Sequence, residues 1–106
     1  MSDEHQLKQD TEKVLCHTPT PGKKPVRILA WKYEGIRKAI LAVLPDDEPG
    51  VVFMDLPDLV EAELSDDFRA RVGSVGWYTT TVKLDMEVKG EIARIPGSKP
   101  QRLILT

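Results

Sequence analysis

Apolar positions recur at helical spacing in three stretches of this chain and at alternating spacing near its end. Over Ala30 to Leu44, Tyr33, Ile36, Ile40, Val43 and Leu44 fall at i, i+3, i+7, i+10 and i+11. That is one face of a helix with 3.6 residues per turn. Lys32, Glu34, Arg37 and Lys38 occupy the other side, and Pro45 stops the run ahead of the polar loop Asp46 to Gly50. Gly35 interrupts this helix at a cost of about 1 kcal/mol relative to alanine, so it marks either a tolerated position or a close helix contact. Val51-Val52-Phe53 is β-prone. A second helix is predicted from about Leu56 to Leu64, with Asp55 as N-cap, Pro57 in the first turn and Leu56, Leu59, Val60 and Leu64 inward. Ser65-Asp66-Asp67 caps a further short helical turn through Phe68 and Val72, ended by Gly73.

The last third carries the strongest pattern. Ser74 offers an N-cap, and Trp77, Thr81, Leu84 and Val88 form one apolar stripe beside a second, Tyr78, Val82 and Met86. Thr79, Thr80, Lys83 and Glu87 are left as the expected exposed positions. Gly90 stands where a helix end needs positive φ. Glu91 to Ile95 then alternates, Pro96-Gly97-Ser98-Lys99-Pro100 breaks the run, and Arg102 to Leu105 resumes it. The prediction is a helix handing over at Gly90 to a β-hairpin. The fold class is mostly α with a small antiparallel β-wing (α+β).

Upstream, Met1 to Lys13 is a polar tail, Val14-Leu15-Cys16 a short extended patch, and Thr18-Pro19-Thr20-Pro21-Gly22 a linker in which each proline removes a donor and restricts its neighbour. The expected organisation is a flexible arm over residues 1–25 and a folded domain over residues 26–106.

Met86-Glu87-Val88-Lys89-Gly90-Glu91-Ile92-Ala93-Arg94 resembles the Leu-Glu-x-Lys-Gly-x-Ile-x-Arg junction between recognition helix and wing in many winged helix-turn-helix repressors. Pro96 to Arg102 is similar to their wing tip. The resemblance covers roughly Ala30 to Leu105. Lys32-Tyr33-Glu34 and Gly76-Trp77-Tyr78-Thr79 also make the whole chain resemble a small uncharacterised bacterial family of about this length. The resemblance implies a winged helix-turn-helix-like fold and a DNA-binding transcriptional regulator. Thr79, Thr80 and Lys83 would face the groove, Arg94, Lys99 and Arg102 would hold the backbone from the wing, and Lys23, Lys24 and Arg27 would serve as a basic arm. The same fold also serves protein–protein contacts. Two departures favour that alternative: the Ser65 to Val75 link is longer than a helix-turn-helix turn, and the second helix is acidic.

Charge sharpens the choice. The chain has 106 residues, enough for one domain, and a net charge of −2. Residues 1–67 sum to −6 and residues 68–106 to +4, and Asp46 to Asp67 holds nine acids and no base. The acidic balance counts against double-stranded DNA, while the opposed charges of the two parts equally suit a protein partner or a homodimer, so a DNA-binding regulator stands as the expectation with a protein-interaction module as its alternative. The chemistry points away from catalysis. His5 and His17 lie outside the predicted elements, the Asp pairs sit in loops, and there is no glycine-rich phosphate loop. Cys16 is the only cysteine, and Cys16-His17 lacks further metal ligands, so no metal and no cofactor are expected. No apolar run is long enough to cross a bilayer, and no signal-peptide-like stretch opens the chain, so the expected location is cytoplasmic.

Overall fold

The computed structural model describes residues 11–106. The chain runs β1 (Lys13–Cys16), β2 (Val26–Leu29), α1 (Ala30–Val43), β3 (Val51–Val52), a 3-10 turn (Phe53–Asp55), α2 (Leu56–Glu63), α3 (Asp66–Val72), α4 (Val75–Val88), β4 (Ile92–Arg94) and β5 (Arg102–Leu105). β4 and β5 pair antiparallel with Ile92 opposite Leu105, and β3 adds to the other side of β5 with Val51 opposite Leu103. The helix-to-hairpin handover occurs as predicted. Gly90 has φ +77°, and the Glu91 N–H closes on the Met86 carbonyl at 3.0 Å. The α+β class holds, and the order of elements with strand order β3-β5-β4 is compatible with a winged-helix-like fold.

Helix ends follow local chemistry. The Ser65 hydroxyl accepts the Phe68 N–H and the Ser74 hydroxyl accepts the Trp77 N–H, both at 3.1 Å, so each satisfies an orphan donor. The Ser65 to Val75 link is long because it contains α3. Asp55 departs from expectation: the 3-10 turn leads directly into α2, and its side chain makes no capping bond. The core gathers Ile36 and Ile40 of α1, Leu56 and Val60 of α2, Val72, Val82 and Met86 of α3 and α4, and Ile92 and Leu103 of the sheet. Leu59, expected inside, is 40% exposed. Three residues from Leu56 and one from Val60, it falls to the edge of the stripe that those two and Leu64 define.

The N-terminal part differs from the expected arm. Residues 1–10 lie outside the described chain, but Lys13–Cys16 is a strand paired antiparallel with β2, Cys16 opposite Val26. Cys16 and Ile28 are buried on its inner face. Residues 18–22 are therefore not a free linker but part of the connection of a hairpin packed on the helices. A short apolar strand within otherwise polar sequence needs a partner, and Val26-Arg27-Ile28-Leu29 supplies it.

Gly35 answers to a close contact. A Cβ there would stand 2.2 and 2.3 Å from two ring atoms of Phe68. Gly35→Ala gains about 1 kcal/mol of helix propensity but overpacks this site by about 1–3 kcal/mol, so a net loss of stability is expected. In a Phe68→Ala chain the same substitution should raise stability. Denaturant midpoints of the four chains check this, and a stabilising Gly35→Ala in the parent would show that the ring yields freely.

Candidate functional site

α4 carries most of the residues proposed for function, and its rotational setting decides what they can do. The face toward the core holds Thr79, Val82, Lys83, Asp85 and Met86. This overturns the expected exposure of Thr79 and Lys83. Thr79 is fully enclosed, and its hydroxyl has no hydrogen-bond partner among the described residues. Lys83 is 2% exposed. Its ammonium donates to Gln101 Oε1 at 2.9 Å, pairs with Glu87 Oε2 at 2.8 Å and lies 4.3 Å from the centre of the Phe53 ring. Burial lowers its pKa, while Glu87 works against that shift. Thr80 is half-buried, and the Glu87 side chain is only 8% exposed. The other end of the predicted stripe turns outward instead: Trp77 is 47% and Val88 48% exposed. Packing of Trp77 in the core is thereby ruled out. Its ring stands edge-on to Tyr78, 4.9 Å between centres, while Lys32 lies over the Tyr78 ring and donates to its hydroxyl at 3.3 Å.

The wing residues divide. Arg94 Nε bonds Glu87 at 2.6 Å, so Arg94 and Lys83 share one carboxylate and form a buried-to-surface chain beneath the wing. Arg102 lines a cavity of about 440 Å³ with Asp55, Asp58 and Leu59, against the acidic side of α2. Lys99 alone stands exposed at the tip. The six residues proposed to hold nucleic acid are thus not brought to one surface.

A centre not foreseen lies on the opposite side of the same helix turn. Asp85 has no solvent exposure. It accepts the His17 N–H at 2.9 Å, the Tyr33 hydroxyl at 2.5 Å and the Lys89 ammonium at 2.9 Å. The Tyr33 oxygen in turn accepts from Lys89 at 3.0 Å. Burial alone would raise the Asp85 pKa, but the three donors and the Lys89 charge outweigh it and hold the carboxyl below its usual value. Tyr33 is pushed up to about 12, by burial first and then by its bond to Asp85. Cys16 is pushed up to about 11 by burial and the Asp85 charge, so its thiol stays protonated and poorly nucleophilic. Nearby, Arg37 Nε bonds Glu91 at 3.1 Å and fastens α1 to the start of β4, which lowers the Glu91 pKa. The sequence did carry a signal for these pairs. Lys83 with Glu87, and Asp85 with Lys89, are opposite charges four apart.

Asp85 brings the hairpin onto α4. With His17 bonded there, the β1–β2 connection passes beside the outer face of the helix. Thr81 and Leu84 line a cleft of about 160 Å³ with Cys16, His17, Lys24 and Val26. Further along, Pro19 and Pro21 line a second cleft with Glu87 and Arg94. Among the described residues, no group of three or more His, Cys, Asp or Glu side chains is placed to hold a metal ion, and no helix is long and apolar enough to cross a membrane.

A family model described as "Family of unknown function (DUF6958)" matches residues 13–103. The chain belongs to that family. The match begins on the first residue of β1 and ends within β5, so the hairpin is part of the DUF6958 unit and not an appendage to residues 26–106. No curated protein and no solved structure gives a significant match.

Asp85 and Glu91 both hold lowered pKa values when folded. The folded chain therefore binds fewer protons than the unfolded chain in acid. The stability they contribute is complete above the ordinary carboxylate range near about 4 and is lost as pH falls through the folded values. Asp85→Asn is expected to cost about 1.5–3 kcal/mol at neutral pH and to make the acid loss shallower than in the parent. Denaturant unfolding at pH 7, 4 and 2.5 measures both, and parallel pH profiles would remove Asp85 from this role.

Proposed function

We propose that this chain is a protein-interaction module on a winged-helix-like scaffold, in which α4 does not read a DNA groove. One observation carries the reading: the β1–β2 connection lies along the outer face of α4, where Thr81 and Leu84 share a cleft with Cys16, His17 and Val26. A helix with its side chains is about 10–12 Å across, which already fills a major groove about 12 Å wide. A second layer of backbone beside it leaves no room for entry. Charge supports the same conclusion. Lys83 is enclosed, Arg94 is balanced by Glu87, and the net charge is −2. The two cations expected nearest the groove, Lys83 and Arg94, are thus engaged by Glu87, whereas nucleic-acid-binding surfaces depend on free ones. What remains open on α4 is apolar, Trp77 and Val88 at the two ends of the covered turns. An exposed tryptophan is a common energetic anchor of protein interfaces.

A photo-crosslinking side chain in place of Trp77, in the full chain expressed in cells, tests this. The expected product is a discrete adduct that resists nuclease and is removed by protease. A nuclease-sensitive adduct, or duplex binding in solution that weakens steeply with salt, would overturn the reading in favour of DNA.

A further inference from the structure

The outer face of α4 presents more than an isolated tryptophan. Trp77, Thr81, Leu84 and Val88 lie at i, i+4, i+7 and i+11, so they form one strip whose ends are exposed and whose middle, Thr81 and Leu84, is half-buried as the floor of the cleft. Val26 of the hairpin, 42% exposed, joins that strip across the cleft beside Leu84. The rim is basic. Lys23 and Lys24 line the same cleft, both are exposed, and neither has an ion-pair partner among the described residues. The two carboxylates of α4 near the cleft do not offset them, since Asp85 is engaged by Lys89 and Glu87 by Lys83 and Arg94. The surface is therefore an apolar trough with positive edges, fit for an acidic element that carries an apolar side chain.

The same chain carries such an element. Met54 is 80% and Leu59 40% exposed. Around Leu59 stand the exposed acids Asp55, Asp58 and Glu63, at i−4, i−1 and i+4. One cation stands on this side: Arg102 lines a cavity with Leu59, Asp55 and Asp58, one charge against the three exposed acids. Leu56 and Val60 turn α2 inward while Val82 and Met86 turn α4 inward, and the two helices pack together. The Leu59 side of α2 and the Trp77 strip of α4 are thus separate surfaces of one chain.

Resting on the reading above, we propose that the trough between α4 and the β1–β2 connection receives the Leu59 knob of α2 from a second copy of this chain. Trough and knob are different surfaces of the chain, so the contact is heterologous. The contact is head-to-tail and extends from copy to copy. Burial of a few apolar side chains is well below the roughly 800 Å² per partner of a stable interface, so the association is weak and driven in part by charge.

Sedimentation of the full-length chain over a wide concentration range tests it. At low ionic strength the average mass is expected to rise without a plateau at the dimer, and 0.5 M salt should reduce it, because that concentration screens the rim charges within a few ångströms. Two exposed charge-reversal variants give the decisive arm: Lys23→Glu with Lys24→Glu, and Asp58→Lys with Glu63→Lys. Each alone is expected to associate at least tenfold more weakly than the parent. An equimolar mixture should recover association, because each trough again meets a knob of opposite sign. Trp77→Ala should weaken association without altering the helical circular dichroism that checks folding. A strict monomer at all concentrations, a closed dimer, or a mixture no stickier than its components would each overturn the proposal. Loss of self-association together with a nuclease-resistant crosslink from position 77 to another protein would leave the interaction reading standing and this partner wrong.

Discussion

One enclosed carboxylate sets the geometry of this protein. Placing an ionised group such as Asp85 out of contact with water is costly unless donors surround it. Three do, and they come from three parts of the chain: the His17 backbone after β1, the Tyr33 hydroxyl on α1, and Lys89 just past the end of α4. Lys89 reaches the carboxylate locally, from four residues on, but the His17 and Tyr33 donors reach it only when hairpin, first helix and last helix adopt one mutual arrangement. Asp85 therefore fixes the rotation of α4 about its axis. That rotation turns Thr79 and Lys83 in and Trp77 out, and it brings residues 17–24 across the helix. The candidate interface is a consequence of where this charge is buried.

The elements themselves were legible because each has local causes: the apolar stripe of α1, Pro45, the hydroxyl caps at Ser65 and Ser74, and Gly90 at the positive φ that ends α4. The wing was legible for the same reason, since Pro96 to Pro100 cannot continue a strand and the runs on either side alternate. The facing of α4 was not. Apolar or half-apolar residues occur all around this helix, so hydrophobic spacing selects no unique inner side. Treating every charge as exposed then chose the wrong one. Lys83 and Asp85 enter the interior with their opposite charges supplied from one turn on, by the enclosed Glu87 and by the half-exposed Lys89. A pair of opposite charges four residues apart can be read as a solvated surface pair or a buried one, and only tertiary packing decides.

The hairpin was missed by a different route. Its strands are four residues each, separated by a polar, proline-bearing stretch, and neither strand has the length to signal structure by itself. Both gain it from pairing with each other, and β1 also from contact with α4, which lies far away in sequence. Non-local stabilisation of this kind leaves little trace in a window of a dozen residues. It is also why an expected arm became the cover of the helix expected to read DNA. Of the proposed nucleic-acid residues, the wing positions were correctly put on strands and tip, but their counter-charges, Glu87 for Arg94 and the acids of α2 beside Arg102, come from other elements.

Lys83 extends the same logic to the wing. Its ammonium reaches Gln101 just before β5 and Glu87 on its own helix, and Glu87 reaches Arg94 at the end of β4. Both wing strands are thus tied to α4 through a partly desolvated chain of charges, in which hydrogen bonds are stronger than in water. Arg37 with Glu91 fastens the base of the wing to α1 in the same way. A wing that must adjust to a DNA backbone needs its cations free to leave their present partners. Here withdrawing Arg94 would leave Glu87, almost wholly enclosed, with the Lys83 ammonium as its remaining cation, and withdrawing Lys83 would strip the ring of Phe53 and the amide of Gln101 of the charge that they face. The energetics favour a wing that is held, and a held wing beside a covered helix presents fixed surfaces of the kind that another folded protein can meet.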